Sequence, residues 1–194
     1  MQCPVCKKHM MNPVDLAPDL SGLGCGECAG VWIARTQYDR WRARQPGDLP
    51  EPPAAAKGAV ADTQKTVQVA VADTHKTKIC PQCGHLLLPY RVGHGLSFSI
   101  DYCGACGGVW CDRSEWDAIM ARNLHDNLHD IVSANWQAYV RRSDVQEAIE
   151  QTYKRLLGAD YGKASDLRAW LREQPQSQRS VILAFLSDNK PQAK

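Results

Sequence analysis

The chain has 194 residues, 44% of them apolar, and a formal charge of +2. That length suits one or two modest domains of ordinary composition, and no run of eighteen apolar residues exists to supply a membrane-spanning helix. With 23 basic against 21 acidic side chains, the chain lacks the broad positive footprint of a protein that grips nucleic acid through many phosphates.

Residues 1–45 open on Cys3-Pro-Val-Cys6 and return, after an eighteen-residue spacer, to Cys25-Gly-Glu-Cys28-Ala-Gly-Val-Trp32. Pro13 and Pro18 interrupt the intervening stretch, so a poor hairpin is expected there. A short helix is predicted to follow, carrying Arg35, Arg40, Arg42 and Arg44. These arginines read first as a solvated helix face and second as a binding patch. Residues 46–77 read as a flexible linker: Pro46, Pro50, Pro52 and Pro53 precede alanines and an eleven-residue echo of Val-Ala-Asp-Thr at Val60 and Val71. Little that is large and apolar anchors this stretch, although 68–72 has the makings of an edge strand.

Residues 78–116 form a second copy of the first unit. Cys80-Pro-Gln-Cys83 returns after nineteen residues to Cys103-Gly-Ala-Cys106-Gly-Gly-Val-Trp110. Strands are predicted over 85–90 and 96–102 with Gly93-His94-Gly95 as the turn, and Leu96, Phe98, Ile100 and Tyr102 alternate to place one face inward. Both copies share Cys-Gly-x-Cys-x-Gly-Val-Trp and the following Arg35 or Arg113, so the chain is internally duplicated. Asp112-Arg-Ser-Glu115 has the form of a capping box. Behind it Trp116, Ile119, Met120, Leu124, Leu128, Ile131 and Val132 recur at helical spacing, which predicts one long helix into the 130s. The region 117–194 reads as helical throughout, with a second helix from Ser143-Asp144 to Gly158 and shorter ones over 165–174 and 178–187 on either side of Pro175.

Eight of the nine cysteines fall in the four Cys-x-x-Cys pairs. Two pairs at this separation match a tetrahedral Zn2+ site closed by four sulfurs, which gives Cys3, Cys6, Cys25 and Cys28 as one ligand set and Cys80, Cys83, Cys103 and Cys106 as the other. A rubredoxin-like iron centre uses the same four sulfurs, and a redox dithiol is the third reading. A forty-residue ribbon buries too little apolar surface to fold alone, so each copy needs its metal. Trp32 and Trp110 read as core residues packed against the metal site rather than as binding aromatics. Cys111, the ninth cysteine, replaces Ile33 of the first copy and reads as a small apolar filler. His125 and His129, spaced i and i+4 on the expected long helix, read as exposed histidines rather than a metal pair.

The string Cys80-Pro-Gln-Cys83-Gly … Cys103-Gly-Ala-Cys106-Gly-Gly-Val-Trp110-Cys-Asp112-Arg-Ser-Glu115 resembles the bacterial zinc-ribbon family named after the transcription factor IIB zinc finger. The first copy is similar but diverged, with Ala34 where the family pattern carries Asp. The resemblance implies the eight cysteine ligands above and two structural zinc ions, and it implies no particular function. The expected fold class is a small metal-stabilised α+β protein: two zinc-ribbon β-hairpin units plus a C-terminal α-helical region.

No nucleophile elbow, phosphate-cradling loop or His-Glu-x-x-His stands in the sequence, and a four-sulfur site leaves no open coordination position, so a non-enzymatic role is expected. The ribbons are expected to dock a macromolecular partner, a protein such as transcription or translation machinery. The alternative is direct nucleic-acid binding, with Arg35, Arg40, Arg42, Arg44, Lys76 and Lys78 near phosphates. Each four-thiolate zinc site carries a net −2, which takes the loaded chain to about −2 and favours protein docking. A flexible segment of this length would span about 30 Å and let the ribbons engage two surfaces or one large partner. Closely spaced reduced thiols, and a ligand at position 3 where a signal peptide would hold its apolar core, point to the cytoplasm.

Overall fold

The computed structural model describes residues 1–45 and 77–188. In the first copy β1 (Asn12–Ala17) and β2 (Leu20–Gly24) form the hairpin, followed by β3 (Val31–Ile33) and α1 (Arg35–Arg42). The second repeats this order with β4 (Leu88–Gly93), β5 (Leu96–Tyr102), β6 (Val109–Cys111) and α2 (Glu115–Ala121). The second hairpin turns as expected, with His94 and Gly95 at φ of 53° and 80°, the left-handed pair of a tight two-residue turn. The first hairpin, expected to be the poorer of the two, forms as well. Pro13 lies on the outermost strand, where a missing N–H costs little, and Pro18 sits in the turn with Asp19 at φ 63°.

The two copies are not separate modules on a tether. All six strands belong to one antiparallel sheet of order β1-β2-β3-β6-β5-β4, joined in the middle by the two three-residue strands. Val31 pairs with Cys111, Trp32 with Trp110 and Ile33 with Val109. Trp32 faces its own counterpart, and Val31 and Ile33 each face the counterpart of the other, so the seam has the register of a local two-fold. The expectation of two ribbons held apart by a flexible linker is therefore corrected. Residues 46–76, with the sequence echo and the strand expected over 68–72, lie outside the described residues.

Alternation along these strands sends side chains to two cores on opposite faces of the sheet. On one face Ile33, Val109, Cys111, Phe98 and Ile100 pack against Tyr38 and Trp41 of α1 and Trp116 and Ile119 of α2. On the other, Trp32 and Trp110 join Met11, Leu87 and cysteines of all four pairs.

The long helix expected into the 130s is broken. Asn123 adopts φ 55°, the Leu124 N–H reaches back to the Ile119 carbonyl at 3.0 Å, and the Asn123 N–H reaches Met120 at 3.0 Å. These are the paired bonds of a Schellman stop, a conformation that asparagine tolerates better than most residues. The turn lets Leu124, and then Leu128 and Ile131 of the short α3 (Leu128–Ile131), drop into the helix-side core. Ser133 then accepts the Trp136 N–H at 3.2 Å and starts α4 (Ala134–Leu157), nine residues before the expected Ser143 start. Trp136 donates its indole N–H to the Val92 carbonyl at 2.9 Å, and the Gln137 amide donates to Arg91 at 2.8 Å. Val140 is buried on Gly93, where a Cβ would lie 2.6 Å from the valine methyl. Helical residues up to 141 thus pack on the ribbons.

The chain divides into compact units Met1–Arg141 and Arg142–Lys194. In the second, α4 ends at Gly158 as expected, and α5 (Tyr161–Glu173) and α6 (Gln176–Ser187) follow, parted by Pro175. Arg168 clasps Glu150 with two bonds of 2.9 and 3.2 Å, and the Tyr161 hydroxyl donates to the same carboxylate. No described helix is long and apolar enough to cross a membrane.

Candidate metal centres

Each quartet is built from two knuckles, one before the hairpin and one after it. In the later knuckles the Cys25 N–H donates to the Gly30 carbonyl and the Ala29 N–H to Cys25, while Cys103, Gly108 and Gly107 repeat the pattern, all at 2.8–2.9 Å. These tight turns bring the two sulfurs of a pair to one side. Across the pairs, Cys3 and Cys28 sulfurs lie 3.6 Å apart and Cys6 and Cys25 4.0 Å. In the second quartet the values are 3.6 Å for Cys80 and Cys106 and 3.4 Å for Cys83 and Cys103. Four sulfurs at 2.3 Å from a tetrahedral zinc stand about 3.8 Å from one another, and a disulfide would need about 2.0 Å. The donor sets therefore fit zinc, and the two quartets are structural Zn2+ sites. They are the ligand groups that the described residues bring together.

The sites are tuned for thiolates. Burial opposes ionisation of Cys25, but the N–H groups of Cys28 and Glu27 outweigh it and lower the thiol to about 7. Cys103 repeats this through Cys106 and Ala105, again to about 7. Without a cation the remaining protons crowd onto the partners, and burial pushes Cys28 and Cys80 up. A dication that accepts four thiolates removes that conflict.

Around the second site lies a polar network that sequence reading missed. Lys78 is 3% exposed, and its ammonium donates to Asp101 at 2.6 Å and to Asp112 at 2.8 Å. Burial opposes its charge, yet the two carboxylates more than offset that and hold its pKa above the usual lysine value. The other Asp112 oxygen accepts the Trp110 indole N–H at 2.7 Å. Asp112 is thus not the side-chain cap of α2. Glu115 supplies the reciprocal half of the expected box, accepting the Asp112 N–H at 2.8 Å. In the first copy the matching positions are Met1, Leu23 and Ala34. The Trp32 indole N–H is consequently buried without a partner, and α1 has no side-chain cap.

Three of the four arginines have partners within the protein, and Arg40 is exposed. Arg35 pairs with Asp39 at 3.3 Å, Arg42 approaches Asp126 at 4.0 Å, and Arg44 donates to the Arg40 carbonyl at 3.2 Å. The expectation that Lys78 faces phosphate is corrected by its burial, and Lys76 lies outside the described residues. Trp32 and Trp110 are buried core residues, as read from the sequence, and so is Cys111, whose thiol burial pushes up. His125 and His129 do not share a helix. His125 is buried beside Trp41 between α2 and α3, with its pKa lowered by burial, while His129 lies 2.6 Å from Asp39. The expectation that both histidines are exposed is thus corrected for His125, whose spacing from His129 fits the helical period that Asn123 breaks.

Residues 2–44 and 79–122 match the family model described as Transcription factor zinc-finger, a transcription factor IIB-type zinc ribbon. The two matched segments coincide with the two copies and include all eight ligands. No curated protein and no solved structure matches the chain significantly.

Proposed function

From two tandem transcription factor IIB-type zinc ribbons fused into one sheet, we propose that this chain is a non-enzymatic docking protein whose partner is another protein. The observation that carries this reading is the uncovered apolar surface of residues 142–188, where none of the described side chains is buried. Val145, Ile149, Tyr153 and Leu156 fall within about 80° of one another around α4, and all four are exposed. Val181, Leu183, Phe185 and Leu186 of α6 are exposed as well. Apolar surface on this scale marks a place that another molecule covers.

Protein suits that surface better than nucleic acid. Arg35, Arg42 and Arg44 are engaged by Asp39, Asp126 and a backbone carbonyl, Lys78 is buried, and the zinc-loaded chain is close to −2. Two measurements test the reading. Crosslinked co-purification from native cells should recover a protein that an Ile149→Ser, Leu156→Ser double variant no longer holds, while the variant keeps its zinc. Nucleic-acid affinity of the full chain should be weak with a shallow salt dependence; a steep log–log slope, equivalent to several phosphates, would overturn the proposal.

A further inference from the structure

The two metal sites do not stand on separate cores. Cys3 and Cys25 of the first quartet and Cys80 and Cys103 of the second share one buried cluster with Trp32 and Trp110. Within it, each copy completes the other's knuckle. The Trp110 ring lies flush on Gly30, where an added Cβ would come within 2.2 Å of the indole, and the Trp32 ring lies on Gly108 with 2.1 Å for the same construction. Gly30 and Gly108 are the residues whose carbonyls close the Cys25 and Cys103 turns. Contact between the copies thus falls on the backbone that aims the ligands.

Two arginines make the same exchange. The Arg35 side chain crosses Gly107 of the second knuckle, where a Cβ would meet its Cδ at 2.5 Å. Arg113, its counterpart, lies with Nε 3.5 Å from the Cys28 carbonyl of the first knuckle. Each knuckle is thus covered by an arginine of the opposite copy, the second by the aliphatic stem of Arg35 and the first by the guanidinium of Arg113. Between them runs the β3–β6 seam, whose two strands directly follow the Cys25–Cys28 and Cys103–Cys106 pairs.

We propose that the two zinc sites are thermodynamically coupled, so that filling either one assembles the other's knuckle and the chain gains and releases its ions as a pair. Occupation of the first quartet fixes β3, Trp32 and Arg35, which are the surfaces on which the second knuckle forms. Occupation of the second fixes β6, Trp110 and Arg113 for the first. The coupling is reciprocal, as linkage requires.

Native mass spectrometry of the full chain during titration with zinc alone counts chains with no, one and two ions. Two equal independent sites give about half the chains singly loaded at one equivalent of zinc, and unequal independent sites give more. A coupling of about tenfold, or about 1.4 kcal/mol, lowers that share to about one quarter. A singly loaded share below half supports the proposal; half or more overturns it. Trp32→Ala and Trp110→Ala leave all eight ligands in place, and each is expected to raise the singly loaded share toward half. Should both variants keep the wild-type distribution, the coupling route through the tryptophans is wrong.

Discussion

At the scale of single residues, the duplication works as an internal control, because one copy carries a buried polar network where the other carries hydrocarbon. Trp110 has its indole N–H satisfied by Asp112, while Trp32, facing Ala34, has none. An unmet buried donor costs about 1–3 kcal/mol, and Ala34 is also the uncapped N-cap of α1. Ala34→Asn offers a neutral acceptor to either group and should stabilise the protein by about 1 kcal/mol, read as a higher denaturant midpoint in excess zinc. Asp is the poorer choice, since no lysine stands at Met1 to compensate a second buried carboxylate.

Glu115 gives a pH-dependent counterpart. Burial raises its carboxyl from the usual 4.5 to about 8, against the opposing pull of the Asp112 N–H, and its second oxygen has no partner. Between those two values the folded chain keeps a proton that the unfolded chain releases. This contribution to stability therefore falls as pH rises through the window and levels off above about 8. Glu115→Gln keeps the acceptor for Asp112 and removes the ionisation. The variant should match the wild type near pH 4.5 and exceed it at pH 9 by on the order of 5 kcal/mol. Denaturation at both pH values checks this, and the shared zinc dependence cancels in the difference.

Among the elements, those with strong local signals were legible and those made by distant contacts were not. The cysteine spacing, the second hairpin with its His94-Gly95 turn, and the stop at Gly158 all announce themselves within a few residues. The seam does not, because three residues such as Val31–Ile33 are too short to display a period and their partners lie 76 to 80 residues away. Asn123 hid for the opposite reason: the apolar helical period continues across it, and only the left-handed backbone reveals the stop. Lys78, two residues before a ligand, looks like any surface lysine until both aspartates close on it.

The start of α4 is secured by the hairpin as well as by its own Ser133 cap. Trp136→Phe keeps an aromatic ring but removes the indole N–H bonded to the Val92 carbonyl, together with part of the packing surface. The expected loss is about 1 kcal/mol. Hydrogen exchange should speed up over the first turns of α4 and leave α5 and α6 unchanged.

For the molecule as a whole, the sheet order has a consequence for connectivity. β3 and β6 meet as two interfaces of one kind, the way identical subunits meet about a two-fold axis. The peptide stretch between the copies is then a covalent convenience rather than the thing that unites them. A protease site engineered within residues 46–76 should yield, after cleavage, two polypeptides that still co-elute while zinc is bound. Chelation should part them. A ribbon of this type expressed singly would carry its short third strand bare, and its natural resting state would be a homodimer.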